Sequence, residues 1–220
     1  MKKNDKRPAI ILAAGMGTRL DNPEKPFSFK PLTPVNGISL IARTMSSLEL
    51  AGCDKMIIVL GWKAEALERA IRSTYPGPAN LKFVINDRFK LQNGISVLCA
   101  AFHVDGEFIL TMSDHILDPK IMHLVRKHHP PRNGAALCVD YKLDSILDMD
   151  DATKALVEKN FVRAIGKNLR EYNCIDTGVF IGTQGLIQAI ESIYRKTGDA
   201  SLTQGVRVLI ETGRMNSPST

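Results

Sequence analysis

Apolar segments of strand length alternate with segments of helical periodicity along the first 140 residues of the chain. Five apolar runs are bounded by turn residues and predict strands that are buried on both faces. These runs cover residues 9–14, 56–61, 81–86, 107–112 and 134–141. The segments between them space their apolar residues by three and four positions, which predicts helices. The predicted helices cover residues 39–52, 63–73, 95–104 and 118–129. This alternation predicts an α/β fold, a three-layer αβα arrangement around a doubly wound, mostly parallel sheet.

The pattern changes after Tyr141. Residues 153–167 predict a β-hairpin that turns at 158–160. A strand over 175–182 and a helix over 185–196 are expected to follow. The second part of the chain is therefore built on a hairpin rather than on alternating strands and helices.

Length and pattern together predict one domain over 1–220. The alternating half spans 8–140, and the half that contains the hairpin spans 141–212. Polar residues dominate 213–220, so we expect this tail to be frayed. Ligands of open parallel sheets bind beyond the carboxyl ends of the strands, and glycine or polar clusters follow four of the predicted strands. A ligand site is therefore expected at that edge of the sheet.

Composition narrows the classes of partner. The chain has 29 Lys and Arg against 23 Asp and Glu, a formal net charge of +6. This excess favours anionic ligands, but the basic residues are spread out and form no runs interleaved with aromatics, so no nucleic acid partner is expected. The four cysteines form no CxxC pair and are expected to be free thiols of a reducing, cytoplasmic compartment. No stretch approaches the ~20 apolar residues of a membrane span, so this chain is expected to make no membrane contact.

The glycine-rich turn after the first strand is the strongest local signal. It reads Gly15-Met16-Gly17-Thr18-Arg19 and lacks the third glycine of the dinucleotide fingerprint and the Gly-Lys-Ser/Thr of a P-loop. No helix is expected behind it, because residues 21–34 contain four prolines. Backbone N–H groups beside a guanidinium suit a chain of phosphates. Taken alone, the turn is equally compatible with a flexible surface loop.

Longer motifs carry a resemblance to a known family. Residues 12–20, LAAGMGTRL, followed by KPLTPVNGISLIARTM at 30–45, resemble the signature of the sugar-nucleotidyltransferase superfamily. Residues 93–98, 108–116 and 151–181 are similar to those cytidylyltransferases of the superfamily that act on inositol 1-phosphate. The resemblance covers almost the whole chain. It implies a Rossmann-like nucleotidyltransferase fold with a small β-hairpin subregion for the substrate, a nucleotide-binding half at 8–140 and an acceptor-binding half at 141–212.

The resemblance also implies a reaction and a set of residues. CMP would pass from CTP to inositol 1-phosphate with Mg²⁺ as cofactor, giving CDP-inositol and pyrophosphate. The implied catalytic residues are Arg19, Lys30, Asp114 and Lys154, and Asp114 is also the implied metal ligand. The implied nucleotide-binding residues are Leu12, Ala13, Ala14, Gly15, Gly17, Thr18, Arg19, Lys30, Asn93, Gly94 and Ser96. The implied acceptor-binding residues are Lys154, Lys167, Asp176, Thr177 and Gly178. His115 is more typical of a solvated loop histidine and is not in these sets.

One departure from the family keeps three hypotheses open. Relatives continue into a Trp-x-Asp-Val-Asp-Thr segment with a second magnesium aspartate, which this sequence lacks, and relatives of this kind also carry a membrane-embedded transferase half. The leading hypothesis is a CTP:inositol-1-phosphate cytidylyltransferase, with CTP and a small phosphorylated acceptor as its partners and a membrane transferase partner left open. The second uses another nucleotide, or phosphocholine, an aminophosphonate or a sugar 1-phosphate as acceptor. The third is a nucleotide-binding regulatory module without turnover.

Overall fold

The computed structural model describes residues 6–16, 29–146 and 148–218. Its strands are β1 Ala9–Ala13, β2 Pro34–Val35, β3 Ile38–Ser39, β4 Lys55–Leu60, β5 Asn80–Ile85, β6 Phe108–Met112, β7 Ala135–Asp140, β8 Lys154–Glu158, β9 Phe161–Gly166, β10 Cys174–Gly182 and β11 Met215–Asn216. Its helices are α1 Leu40–Leu50, α2 Ala64–Thr74, α3 Asn93–Ala100, α4 Pro119–Lys127, α5 Gln184–Thr197 and α6 Leu202–Glu211.

Nine strands of the described chain form one mixed sheet in the order β5-β4-β1-β6-β10-β7-β11-β9-β8. Strands β5, β4, β1 and β6 are parallel, whereas β10 is antiparallel to both β6 and β7. Strand β10 also pairs with β8, so the second half of the sheet is partly closed. The predicted α/β class is confirmed, but a mostly parallel sheet is correct only for the first half. The hairpin β8–β9 is one reason why the second half is not parallel, because a two-residue turn can join only antiparallel strands.

The core lies in two layers, one on each side of the sheet. Along β1, Ile10 and Leu12 pack with apolar residues of α3, α5 and α6. The alternate residues Ala9, Ile11 and Ala13 pack with residues of α1, α2 and α4. Successive side chains of a strand point to opposite faces, so a strand that is apolar at every position needs cover on both sides. The two helical layers provide that cover, and β1 lies inside the sheet between β4 and β6.

Strand β5 corrects one prediction. Its sequence indicates burial on both faces, but it lies at the edge of the sheet and its accessibility alternates along the strand. Ile85 is 54% exposed, while the guanidinium of Arg72 lies 4.5 Å from the ring centroid of Phe83. The apolar run fixes a strand but not its place in the strand order, because that place depends on long-range pairing.

The predicted fraying of residues 213–220 is also wrong for part of that segment. The sequence predicts a frayed tail over 213–220, yet residues 215–216 form β11, parallel to β7. Met215 is 1% exposed, and the amide of Ser217 donates to the carbonyl of Asn160. Residues 219–220 lie outside the described residues. Polar composition predicted fraying, but Met215 and Ser217 are buried and β11 pairs with both β7 and β9, so this segment is docked on the sheet.

Helix α6 is not predicted by the sequence pattern. Gly205 lies in its middle, and glycine usually weakens a helix. In the structure a Cβ at Gly205 would lie 2.4 Å from Cγ1 of Ile190 on α5, so the glycine allows the two helices to pack closely. Among the helices that the structure describes, none has both the length and the hydropathy of a membrane span.

Candidate active site

A cleft of about 690 Å³ opens at the carboxyl ends of β1 and β6. The segments that follow these two parallel strands form its floor, and α3, β10 and the turn before β8 form its walls. Eleven of the predicted site residues line it: Leu12, Ala13, Ala14, Gly15, Lys30, Asn93, Ser96, Asp114, Lys167, Asp176 and Gly178. The cleft therefore brings predicted nucleotide-side and acceptor-side residues from both halves of the sequence into one space.

Three predicted residues of the glycine-rich turn lie outside the described residues. They are Gly17, Thr18 and Arg19. Gly15 is described and lines the cleft directly after β1. The phosphate-binding role of the turn and the role of Arg19 in pyrophosphate departure remain predictions.

Lys30 and Asp114 form an ion pair in the cleft. The Nζ of Lys30 lies 2.5 Å from Oδ2 of Asp114, and Nδ1 of His115 lies 3.1 Å from Oδ1, without the alignment of a full hydrogen bond. The contact with His115 and then the ammonium of Lys30 hold the pKa of Asp114 well below its usual range, against the opposing effect of burial. Thr44 on α1 donates its hydroxyl to the carbonyl of His115 and ties this segment to the helical layer. Asp114 is thus an ionised carboxylate in a fixed loop after β6.

Asp114 fits the magnesium role that the resemblance implies. Mg²⁺ is held in nucleotide sites by one or two carboxylates, with substrate phosphates and water as its other ligands. An ionised carboxylate whose side chain is 24% exposed, in a cleft of about 690 Å³, meets that requirement. No three His, Cys, Asp or Glu side chains within the described ranges are grouped to hold a metal by themselves. A metal here would therefore depend on ligands from the bound nucleotide.

The start of α3 forms the wall on the predicted nucleotide side. The side-chain oxygen of Asn93 accepts a hydrogen bond from the backbone amide of Leu202, and the buried Ser96 hydroxyl accepts one from the side-chain amide of Asn86. A hydroxyl that accepts one hydrogen bond still has a proton to donate. Both side chains are thus held in place at the cleft wall, with the hydroxyl of Ser96 able to act as a donor.

Gly94 serves packing in this structure. A Cβ at this position would lie 2.5 Å from the carbonyl oxygen of Ala200 and 3.0 Å from Cγ2 of Ile190. The sequence predicts a close backbone approach at Gly94, and the structure shows that the approaching group is the chain before α6. Gly94 does not line the cleft.

Asp176 and Gly178 face the cleft from β10. The register of β10 against β7 shifts between Asp176 and Phe180, and such bulges redirect side chains. Burial raises the pKa of Asp176 to about 6, although the amide of Gly178 donates to its Oδ1 at 2.7 Å and the charge of His115 opposes the rise. Gly178 has φ +75°, and a Cβ there would lie 3.0–3.3 Å from the ring of His115. The imidazole therefore packs directly on the glycine backbone between Asp114 and Asp176.

Two predicted acceptor residues point elsewhere. The hydroxyl of Thr177 donates to the carbonyl of Cys138 at 2.8 Å and belongs to the sheet. Lys154 is 8% exposed, and its Nζ donates to the carbonyls of Met149 and Lys167 at 2.7 and 2.9 Å. Neither residue lines the cleft. The ammonium of Lys154 binds the backbone of its own hairpin and of the preceding turn, and its contact with a substrate phosphate stays a prediction.

Three charged or titratable residues of the cleft were not among the residues predicted from the sequence. These are His115, Asp148 and Asp151. Lys167 pairs with Asp151, whose amide donates to the carboxylate of Asp148. The acidic run DMDD at 148–151, directly before the hairpin, was the signal that could have indicated the aspartates. No local pattern distinguishes His115 from a solvated histidine.

The fold and the cleft are those of a nucleotidyltransferase enzyme, a class that binds a nucleoside triphosphate at the carboxyl edge of such a sheet. The family profile for the MobA-like NTP transferase domain matches residues 9–206, and this chain belongs to that family.

Similar proteins agree with this assignment. The "bifunctional IPC transferase and DIPP synthase" of Archaeoglobus fulgidus is 35% identical over 84% of this chain, and that of Thermococcus kodakarensis is 32% identical over 89%. This chain spans only 34% and 42% of their lengths. The solved structure of the inositol-1-phosphate CTP transferase from T. maritima superposes with a TM-score of 0.84 at 26% identity, covering 97% of this chain and 85% of that one.

Proposed function

We propose that this protein transfers CMP from CTP to inositol 1-phosphate and releases pyrophosphate, with Mg²⁺ as cofactor. The names of the similar proteins support this substrate pair, and the residues of the cleft are compatible with it. Because this chain spans less than half of the two-activity relatives, their second activity is not assigned to it.

One observation carries the proposal. Lys30 and Asp114 line the cleft from segments after the parallel strands β1 and β6. Lys167 and Asp176 line the same cleft from the antiparallel second half. A reaction between two phosphorylated substrates requires both to be held in one space with their charges neutralised. A single cleft lined from both halves supplies that arrangement.

The nucleotide would lie on the side of β1, β6 and α3. Asn93 and Ser96 offer polar groups to the base or ribose, and Gly15 begins the turn expected to surround the phosphates. On triphosphate binding, the ammonium of Lys30 would exchange the carboxylate of Asp114 for phosphate oxygens. Asp114 would then hold Mg²⁺, which supplies charge neutralisation at the phosphates.

The acceptor supplies the nucleophile. A phosphate monoester has its second pKa near ~6 and is largely a dianion at neutral pH, so a phosphate oxygen can attack the α-phosphorus without a protein nucleophile. The bond from the α-phosphorus to the bridging oxygen breaks, and pyrophosphate leaves with its electron pair. Lys167 would neutralise the acceptor phosphate, and Asp176 would accept hydrogen bonds from the hydroxyl groups of inositol.

Pyrophosphate release measured with Mg²⁺, across a panel of nucleotides and acceptors, tests the proposal. We expect release with CTP that depends on inositol 1-phosphate and that stops when the divalent ion is chelated. Preferential release with another nucleotide, or with phosphocholine, an aminophosphonate or a sugar 1-phosphate, would show that CTP and inositol 1-phosphate are not the substrate pair. Tight CTP binding without release under any pair would instead favour a regulatory module.

A further inference from the structure

Lys167 and Asp151 form an ion pair at the acceptor side of the cleft. Lys167 stands directly after β9, Asp151 lies in the turn before β8, and Nζ and Oδ1 are 2.5 Å apart. Both side chains line the cleft. They remain 53% and 45% exposed, so water screens the pair, and pairs of this kind contribute little to stability. The contact is therefore one that a stronger anion can replace.

The backbone around the pair is held firmly. The buried ammonium of Lys154 bridges the carbonyls of Met149 and Lys167, which joins the turn before β8 to the end of β9. The amide of Asp151 donates to the carboxylate of Asp148 at 3.1 Å and orders the same turn. The two side chains can thus separate while the segments that carry them stay in place.

We propose that Asp151 is a specificity-determining residue that occupies the phosphate position beside Lys167 until an acceptor phosphate displaces it. The proposal rests on the proposed function, because it places the acceptor phosphate at Lys167. A dianionic monoester binds the ammonium more strongly than a single carboxylate does and repels Asp151 as it enters. A neutral polyol cannot displace the carboxylate. Asp151 thereby makes binding depend on the charge of the acceptor phosphate.

Phosphate binding by Asp151→Asn tests this directly. Inorganic phosphate and inositol 1-phosphate are titrated by calorimetry into the unmodified protein and the variant, with free inositol as a neutral probe. We expect about two- to five-fold tighter binding of both phosphates by the variant, the range that a half-exposed ion pair supports, and no change for inositol. Asp150→Asn is the matched control, because it removes the same charge from the same turn at an exposed position that does not line the cleft.

A double-mutant cycle with Lys167→Met isolates the pair from general electrostatics. The gain from Asp151→Asn should vanish when Lys167 is replaced. An equal gain in the Lys167→Met background, or a gain no larger than that of Asp150→Asn, would refute the role of Asp151. Asp151→Ser provides a second variant if the asparagine form does not fold.

The outcomes separate this proposal from the proposed function. Turnover of CTP with inositol 1-phosphate, together with unchanged phosphate binding by Asp151→Asn, would reject the role of Asp151 alone. Tighter phosphate binding that depends on Lys167, in a protein that releases no pyrophosphate with this substrate pair, would support the role of Asp151 and reject the reaction.

Discussion

The ammonium of Lys30 contacts the carboxylate of Asp114 at 2.5 Å, although the two residues come from distant segments of the chain. Lys30 stands in the turn before β2. Asp114 lies in the loop after β6, an interior strand of the sheet between β1 and β10. Each charge therefore neutralises the other in the cleft. The contact with His115 and this pair with Lys30 keep Asp114 ionised, which is the state that a hard cation requires.

Replacement of Asp114 by alanine should abolish turnover and preserve the fold. Loss of the carboxylate removes the proposed Mg²⁺ ligand, and we expect kcat to fall by about 100-fold or more. Lys30 is 39% exposed, so its loss of a partner should change the free energy of unfolding by only about 1 kcal/mol or less. Steady-state kinetics and urea unfolding measure the two effects. Asp105→Ala, at an exposed position before β6 and away from the cleft, should change neither, and retained activity of Asp114→Ala would remove the metal assignment.

The carboxyl group of Asp176 should make stability depend on pH. Its pKa rises from 3.8 to about 6 in the folded protein, chiefly through burial, so the folded state binds this proton more tightly than the unfolded chain. The resulting stabilisation is fully present below about pH 4 and is lost as the pH rises through 6. Asp176→Asn keeps an acceptor for the amide of Gly178 but does not ionise.

The unfolding free energy of Asp176→Asn relative to the unmodified protein should therefore increase between pH 4 and pH 7. We expect about 2 kcal/mol, after allowance for the part of the side chain that solvent reaches. Urea unfolding at several pH values measures the difference. A difference that is constant over this range would mean that Asp176 titrates as an ordinary carboxyl group.

Gly94→Ala should destabilise the protein although alanine is the better helix former. Its Cβ would lie 2.5 Å from the backbone oxygen of Ala200, which cannot move without shifting the start of α6. We expect a net loss of about 1–3 kcal/mol, as for other overpacked sites. Gly15→Ala is the control for stability, because a Cβ there would meet no atom within 4 Å, and it should cost less. Equal effects of the two substitutions on the urea midpoint would contradict this explanation.

Met215→Ala tests whether the end of the chain is docked. The side chain of Met215 is 1% exposed beside β7, so its truncation should cost about 2–4 kcal/mol of unfolding free energy. Leu50→Ala removes a similar apolar volume at a position that is 51% exposed and should cost about 0.5 kcal/mol or less. A frayed tail would make Met215→Ala as mild as Leu50→Ala.

Local sequence patterns correctly predicted the strands, helix starts and turns whose formation depends on neighbouring residues. The apolar runs predicted β1, β4, β6 and β7 to within about two residues, because each needs cover on both faces whatever its neighbours. Asp118 before Pro119 marked the start of α4, and its carboxylate does accept from the amide of Lys120. Residues Lys159 and Asn160 both have positive φ, as the predicted hairpin turn requires.

Other features depend on contacts between distant segments, and only the tertiary structure decided them. In the sheet, β5 is an edge strand and β10 is the antiparallel neighbour of β6. Neither position can be deduced from the composition of the strand itself. The sequence by itself determined a family and a group of polar residues at one edge of the sheet. Which of them share the cleft was decided by pairing and packing, which turned Lys154 and Thr177 towards backbone carbonyls and brought His115, Asp148 and Asp151 into the site. The physical reason is that a polar side chain has no strong local preference for one direction, so its direction is set by the partners that the folded chain brings near it.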